Sequence, residues 1–326
     1  MPDLQTKYMN LTLKNPIIVA SSGLTSSVEK IEACEKAGAG AVVVKSLFEE
    51  VLAQEDWGLE QSAPYHPEAQ DYLYNELQMQ YGPNTYCELI TEAKRRVSIP
   101  VIGSINCVST KWWPEFAYKI EAAGADAIEL NIFKIAVDPE INSAAMEKLY
   151  FDVLEQVKSK VSIPVAMKIS RNFTALPYLI TNLNKKGLDA IVMFNRFTEP
   201  DIDIHKLKLK TTFSFSNQDD IYGVLRWVAL LYNNVDCDIS ATTGIHSSEG
   251  IIKLLLAGAT TVQLASTLYR NGLKKIRQLI SEIETWMIKY KLEDISQFRG
   301  RLAFTPEYDP EIYLRAQFME KIRGIE

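Results

Sequence analysis

The chain has 326 residues, of which 47% are hydrophobic, and its formal net charge is -6. This length suits one large barrel or two ordinary domains. Since no linker-like stretch divides it, we expect a single domain over residues 1–326. The acidic balance and the lack of a basic cluster argue against nucleic acid as a partner.

Cysteine and histidine usage points to a reduced setting without a metal. The four cysteines have no C-x-x-C spacing, so they indicate neither a zinc site nor a disulfide framework. His66, His205 and His246 are far apart in the sequence. The N-terminus lacks a signal-peptide core, and no apolar run approaches the roughly 20 residues of a membrane span. We therefore expect a soluble, cytoplasmic protein with no membrane contact.

Strand and helix patterns alternate along the chain. Lys7–Lys14 predicts a small N-terminal hairpin. Eight apolar runs then have the character of buried parallel strands: Asn15–Ser21, Ala41–Ser46, Pro100–Ile105, Ala127–Ile132, Pro164–Ile169, Ala190–Asn195, Asp238–Thr243 and Thr261–Ser266. Helical patterns lie between and after them: Ser26–Ala37, Thr85–Val97, Trp112–Ala123, Ser143–Val161, Ala175–Lys186, Gln218–Tyr232, Ser247–Ala257 and Arg270–Tyr290, with extra C-terminal helices to Ile325.

A helix end followed at once by a strand occurs four times, at Glu35–Val44, Glu121–Lys134, Asn184–Phe194 and Leu255–Leu264. In each copy a glycine can adopt the left-handed conformation that ends a helix. Eight strands alternating with helices predict an α/β fold, the (β/α)8 TIM barrel. The rival, an open doubly wound sheet, has no G-x-G-x-x-G motif at a first strand to support it.

Two segments are longer than ordinary loops. Leu47–Asn84, the long loop after strand 2, is rich in tyrosine, and Arg196–Asn217 follows strand 6. Both begin at the carboxyl end of a strand, where a barrel carries its active site, so they are candidate walls or lids over a ligand. A packed insertion or a dimer contact is the alternative for the first segment.

Polar residues end the predicted strands. They are Ser21, Lys45 with Ser46, Ser104, Asn131, Lys168, Asn195, Thr243 with Gly244, and Ser266. Two lysines and two asparagines are costly to bury without partners, so they indicate a ligand rich in hydrogen-bond acceptors. The small residues after strands seven and eight suit a phosphate held by backbone amides.

These residues resemble the dihydroorotate dehydrogenases, most closely the soluble class 1 branch. The resemblance rests on Asn15-Pro16, Ala20–Gly23, Lys45-Ser46, Glu129–Asn131, Lys168, Asn195, Leu256–Leu264 and Phe298–Leu302. It implies an FMN-dependent oxidoreductase of pyrimidine biosynthesis, which converts dihydroorotate to orotate. Hydride passes to flavin N5 while a base removes the C5 proton. Members of the class 1A branch pass electrons from the flavin to fumarate and are cytosolic homodimers, so the resemblance to this branch implies the same acceptor and the same oligomer.

The resemblance assigns most of the flavin site. Lys168 matches the lysine that stabilises reduced flavin near N1 and O2. The expected FMN contacts are Ala20, Ser21, Lys45, Ser46, Asn131, Lys168, Asn195, Thr243, Gly244, Ala265 and Ser266. The turn at Phe213–Gln218 replaces a glycine-rich turn of the family.

The substrate site departs from the family. The family has a cysteine or serine base after the strand-four asparagine, whereas this chain continues from Asn131 with Ile-Phe-Lys134. Gln78 replaces the first asparagine of the lid motif, and Arg196 replaces a serine. The expected catalytic residues are Lys134, Lys45 and Lys168, and the expected substrate contacts are Lys45, Gln78, Asn84, Asn131, Asn195 and Arg196.

Several hypotheses remain open on the sequence. Lys134 is the base if burial or neighbouring cations lower its pKa; otherwise Lys134 and Arg196 anchor a different anionic substrate, or Lys134 points to solvent. Cys107 is a weaker candidate base. A flavin-free phosphate-binding lyase or isomerase, in which Lys168 or Lys45 acts on a carbonyl, is the alternative enzyme class. A third hypothesis is a barrel without turnover that binds FMN or a partner.

Overall fold

Parallel strands close into a barrel in the computed structural model, which describes residues 2–48, 83–106, 112–196, 200–211 and 215–305. The strands are β1 (Thr6–Tyr8), β2 (Leu11–Leu13), β3 (Ile17–Val19), β4 (Ala41–Val43), β5 (Leu47–Phe48), β6 (Val101–Asn106), β7 (Ala127–Asn131), β8 (Val165–Ile169), β9 (Ala190–Met193), β10 (Pro200–Asp203), β11 (Lys208–Thr211), β12 (Asp238–Thr242) and β13 (Thr261–Leu264). The barrel runs β3, β4, β6, β7, β8, β9, β12 and β13, and β13 pairs with β3 to close it.

Helices surround this barrel. They are α1 (Val28–Lys36), α2 (Pro83–Arg96), α3 (Trp113–Ala122), α4 (Ser143–Lys158), α5 (Leu176–Lys185), α6 (Ile221–Leu231), α7 (Ser248–Ala257), α8 (Ser266–Asn271) and α9 (Lys275–Lys289). The structure confirms the predicted (β/α)8 fold and the N-terminal hairpin. The pattern at Arg270–Tyr290 divides at Gly272, whose φ of 74° separates α8 from α9. Among the described helices, none combines the length and apolarity that crossing a membrane requires.

Side chains alternate between the barrel interior and the helix layer. The outward positions are large, as at Ile128, Met167 and Ile191, and they pack in one hydrophobic cluster with the helices. A second cluster, inside the barrel, contains small residues from four strands: Ala41, Ala127, Ala166 and Ala190. Small interior residues leave space near the amino-terminal end of the barrel, and the N-terminal hairpin fills it.

The hairpin β1–β2 acts as a plug of the barrel. Tyr8, Met9 and Leu13 belong to the inner cluster and are buried. Met9 and Asn10 have φ values of 53° and 60°, as in the two-residue type I′ turn that matches strand twist. The Met9 amide donates a hydrogen bond of 2.7 Å to Asp238 Oδ2, so the turn is attached to β12.

The structure describes more of the second long segment than of the first. Part of Arg196–Asn217 forms the antiparallel hairpin β10–β11, in which Asp201 pairs with Lys210. Leu47–Asn84 lies mostly outside the described residues, as does the C-terminal stretch after Thr305. The roles of these segments as lids, and the single domain over the whole chain, stay predictions.

Truncating the plug should destabilise the protein. Leu13→Ala removes a fully buried side chain, and we expect a loss of about 2–5 kcal/mol in the free energy of unfolding. The measurement is urea denaturation followed by circular dichroism. The control is Leu207→Ala in the β10–β11 hairpin, where the leucine is 86% exposed and the change should stay within about 0.5 kcal/mol. Equal losses of stability in the two variants would contradict the role of the hairpin as a stabilising plug of the barrel.

Candidate functional site

A cavity of about 130 Å³ opens where the barrel strands end. We call it the strand-end cavity. Nine residues expected at the ligand site line it: Ala20, Ser21, Lys168, Asn195, Arg196, Thr243, Gly244, Ala265 and Ser266. Lys168 lies on β8 and the others follow β3, β9, β12 and β13, so the parallel arrangement of the barrel brings them together. Phe194, Ser216, Thr242, Ile245, Gln263 and Leu264 complete the lining.

Serine side chains join three of the strand ends. Ser21 Oγ and Ser46 Oγ are 2.9 Å apart, and Ser46 Oγ and Ser104 Oγ are 2.8 Å apart. The Tyr86 hydroxyl, from α2, donates to the Ser104 carbonyl and accepts from the Ser104 amide. This chain of hydrogen bonds fixes β3, β4 and β6 at one side of the cavity.

Two asparagines meet on the opposite side. The Asn195 amide nitrogen donates to Asn131 Oδ1 at 2.6 Å, which joins the end of β7 to the residue that follows β9. Thr243 is a neighbour of this pair, because its hydroxyl donates to the Phe194 carbonyl at 3.1 Å. Asn195 lines the cavity, whereas Asn131 does not, and their hydrogen bond fixes the orientation of the Asn195 amide.

The turn after β12 is tightly constrained. Thr243 and Gly244 both have positive φ, at 82° and 79°. A Cβ atom on Gly244 would lie 2.3 Å from the backbone nitrogen of Ile221, at the start of α6. Only glycine permits this approach, and it lets the turn backbone form part of the cavity wall.

A buried polar cluster lies below the cavity. Lys168 on β8, Glu129 on β7 and Gln263 on β13 are 7%, 1% and 2% exposed. Lys168 Nζ is 3.7 Å from Glu129 Oε1, and Gln263 Nε2 donates to Glu129 Oε2 at 2.6 Å. The cavity therefore contains a lysine whose counter-ion is deeper in the barrel.

Ser216 and His246 are further polar residues near the cavity. The Ser216 amide donates to Ser266 Oγ at 3.1 Å, and Ser216 Oγ is 3.1 Å from His246 Nε2. Burial lowers the pKa of His246, and the positive charge of Arg270 acts in the same direction. The neutral imidazole is thus favoured beside the two serines.

A second opening adjoins the strand-end cavity and shares Phe194, Asn195, Arg196 and Thr243 with it. Its volume is about 260 Å³, and Arg171, Asn172, Asp220 and Val224 also line it. Arg196 Nε is 3.8 Å from Asp220 Oδ2. The opening is cationic at its rim, which suits an anionic ligand.

Other expected site residues lie elsewhere. Lys134 is exposed and lines a different opening, with Ser170 and Asn172 among its neighbours. Lys45 is partly buried but does not line the strand-end cavity, and Asn84 is exposed in α2. Gln78 and Cys107 fall outside the described residues. The structure thus brings the expected flavin residues together more completely than the expected substrate residues.

Sequence reasoning assigned no role to Glu129, Gln263, Ser216 or His246. A signal was present for the first two, since each is a polar residue within an otherwise apolar strand run. Ser216 and His246 lie in segments between the helices and strands, so the sequence offered no comparable signal for them.

A closed parallel barrel with a cavity at the carboxyl ends of its strands is the arrangement of TIM-barrel enzymes. A family model described as "Dihydroorotate dehydrogenase" matches residues 3–287. A protein of Thermoplasma acidophilum named "Dihydroorotate dehydrogenase B (NAD(+)), catalytic subunit" is 29% identical over 317 residues, covering 92% of this chain and 99% of that protein. A protein of the same name from Methanocaldococcus jannaschii is 28% identical, covering 87% and 93%.

The chain belongs to the dihydroorotate dehydrogenase family, since the family model covers most of its length. This confirms the resemblance drawn from the sequence. The relatives are named as B-type catalytic subunits, whereas the expectations of fumarate and a homodimer come from the class 1A branch. Fumarate and the homodimer stay predictions.

The turn after β12 can be tested by adding one methyl group. Gly244→Ala should lower the free energy of unfolding by about 2–4 kcal/mol, because the positive φ and the overlap with Ile221 both oppose a Cβ atom. Thermal or urea unfolding measures the loss. Gly124→Ala is the matched control: its φ is 93° but a Cβ there meets no atom within 4 Å, so we expect only about 1 kcal/mol. Equal losses would exclude the close contact.

Proposed function

We propose that the chain is an FMN-dependent oxidoreductase that oxidises dihydroorotate to orotate, the reaction that its family name describes. One observation carries the proposal. Lys168, Asn195 and the turns after β12 and β13 line a single cavity at the carboxyl end of the barrel. These groups come from distant parts of the sequence, and together they offer a cation, an amide and backbone N–H groups to one ligand.

The cavity residues fit a flavin mononucleotide. Gly244 lines the cavity in a turn whose backbone lies against the start of α6, and Ala265 and Ser266 provide a second small-residue turn. These turns would hold the phosphate. When bound, the flavin supplies a hydride acceptor at N5. Lys168 would lie at the ring edge where negative charge develops on reduction, and its ammonium would stabilise that charge.

The adjoining opening would receive the substrate carboxylate. Arg196 presents a planar guanidinium that suits bidentate contact with a carboxylate. Its contact with Asp220 orients the guanidinium before the ligand arrives. Asn131 and Asn195 would donate and accept hydrogen bonds to the pyrimidine ring, since their shared hydrogen bond leaves other donor and acceptor positions.

We assign Lys134 the role of an anchor for the anionic substrate. Base catalysis by lysine depends on burial or on neighbouring cations that lower its pKa. The Lys134 side chain is exposed and does not line the strand-end cavity. The opening that Lys134 lines shares Asn172 with the opening that Arg196 lines, so its positive charge would attract an anion that enters there.

The names of the relatives suggest the route of the electrons. They are called catalytic subunits of an NAD(+)-linked enzyme. On this basis we propose that the chain works with a partner subunit that passes electrons from the flavin to NAD+. Fumarate, expected from the class 1A resemblance, is the alternative acceptor.

Anaerobic titration tests the proposed half-reaction. We expect the purified protein to show a flavin absorption band that dihydroorotate bleaches to the extent reached with dithionite. A band that only dithionite bleaches would mean that the barrel binds flavin but acts on another substrate. Absence of the band, even after incubation with FMN, would favour the flavin-free lyase or isomerase.

Lys168→Ala should slow flavin reduction by dihydroorotate by about 10²–10³-fold, because the cation facing the developing charge is lost. Stopped-flow absorbance under anaerobic conditions measures the rate. Lys185→Ala, at the end of the outer helix α5, is the control and should leave the rate unchanged. An unaltered rate in Lys168→Ala would exclude the role given to Lys168.

Lys134→Ala should raise the KM for dihydroorotate by about fivefold and leave kcat within about twofold, since an exposed charge contributes about 1 kcal/mol to binding. Steady-state kinetics with an artificial acceptor separates the two parameters. A loss of more than about 10³-fold in kcat, with flavin binding retained, would instead identify Lys134 as the base.

A further inference from the structure

We propose that Glu129 is a positioning residue for the flavin chemistry: it partly offsets the charge of Lys168 and thereby limits how strongly the site stabilises reduced flavin. The inference rests on the proposed function, because it concerns a bound flavin. It assigns a role to Glu129 and, through it, to Gln263.

The geometry places the carboxylate between two partners. Gln263 Nε2 donates to Glu129 Oε2 at 2.6 Å, and this contact crosses the barrel interior from β13 to β7. Lys168 Nζ lies 3.7 Å from Glu129 Oε1, which is beyond hydrogen-bond distance. The ammonium is therefore close enough for strong electrostatic attraction, yet it is not held by a direct hydrogen bond to the carboxylate.

The cluster is incompletely satisfied. Glu129 Oε1 and Gln263 Oε1 are both buried without a hydrogen-bond partner. Lys168 and Gln263 also line the strand-end cavity, whereas Glu129 does not. Lys168 can thus turn between the carboxylate below and a ligand above, and the hydrogen bond from Gln263 keeps the carboxylate in place.

The effect of the cluster on a bound flavin depends on the combined charge of Glu129 and Lys168. The barrel interior excludes water around Glu129, so its charge is weakly screened and acts on groups above it. Tyr8 lies on the plug side of the cluster; burial and the charge of Glu129 raise its pKa well above the ordinary value, so it stays neutral. Lys168 and Glu129 then form a nearly neutral pair, and a bound flavin meets less positive charge than a lone lysine would supply.

Sulfite affinity tests this inference in the flavin-loaded protein without turnover. Sulfite adds to flavin N5 and places negative charge at the N1 and O2 edge, so its affinity reports the positive charge there. We expect Glu129→Gln to bind sulfite about tenfold more tightly than the natural protein, because the offsetting charge is gone. Its flavin midpoint potential should also become more positive. Lys168→Met should bind sulfite more weakly.

Controls separate this charge effect from a structural effect. Glu115→Gln removes an exposed carboxylate on α3 and should leave sulfite affinity within about twofold of the natural protein. Gln263→Met keeps Glu129 charged but removes its donor, so the carboxylate can approach Lys168 and sulfite should bind about threefold more weakly. This second variant decides the question if Glu129→Gln does not fold.

The outcomes distinguish the two proposals. Flavin bound by every variant, with sulfite affinity in Glu129→Gln unchanged or weaker, would overturn the role of Glu129 and leave the proposed function standing. A natural protein that takes up no flavin would overturn the proposed function and this inference together.

Discussion

The contact between Glu129 and Lys168 constrains the whole barrel interior. Two opposite charges with little solvent contact carry a large desolvation penalty, which their attraction offsets only when geometry and further hydrogen bonds are right. Gln263 supplies one such bond from across the barrel. A shift of one residue in β7, β8 or β13 would turn these side chains into the helix layer. The charged cluster therefore depends on strand register.

The interior changes character from one end of the barrel to the other. Near the amino-terminal end, alanines leave room for the plug, and Tyr8 and Leu13 fill it with apolar volume. Above that layer come Glu129 and Gln263, and then the asparagines and turns of the cavity. The plug fills the amino-terminal end of the barrel, and Lys168 and Gln263 line the cavity at the other end, so the polar cluster adjoins the cavity.

Much of the fold could be predicted because its signals are local. Glycine-ended helices next to apolar strand runs recur with a regular order, and strand ends of a closed parallel barrel must meet. The contact from Glu129 to Gln263 joins residues 134 positions apart. Each polar residue could be noticed in the sequence, but their pairing could not be predicted from it. Met9 and Thr243 have positive φ, which propensity alone would assign to glycine or asparagine.

The two halves of the site differ in how the chain supports them. The residues expected around the flavin lie at strand ends or in short turns, whose positions the barrel fixes. Lys134 and Arg196 follow strands, in longer segments whose sequence can change without altering the barrel, and Gln78 lies outside the described residues. The departures from the family pattern on the substrate side fall on these residues, whereas the flavin side departs in the turn at Phe213–Gln218. A barrel can thus retain a cofactor cavity while its loops acquire different charge, and the chemistry of the substrate side has to be argued from those loop residues rather than from the fold.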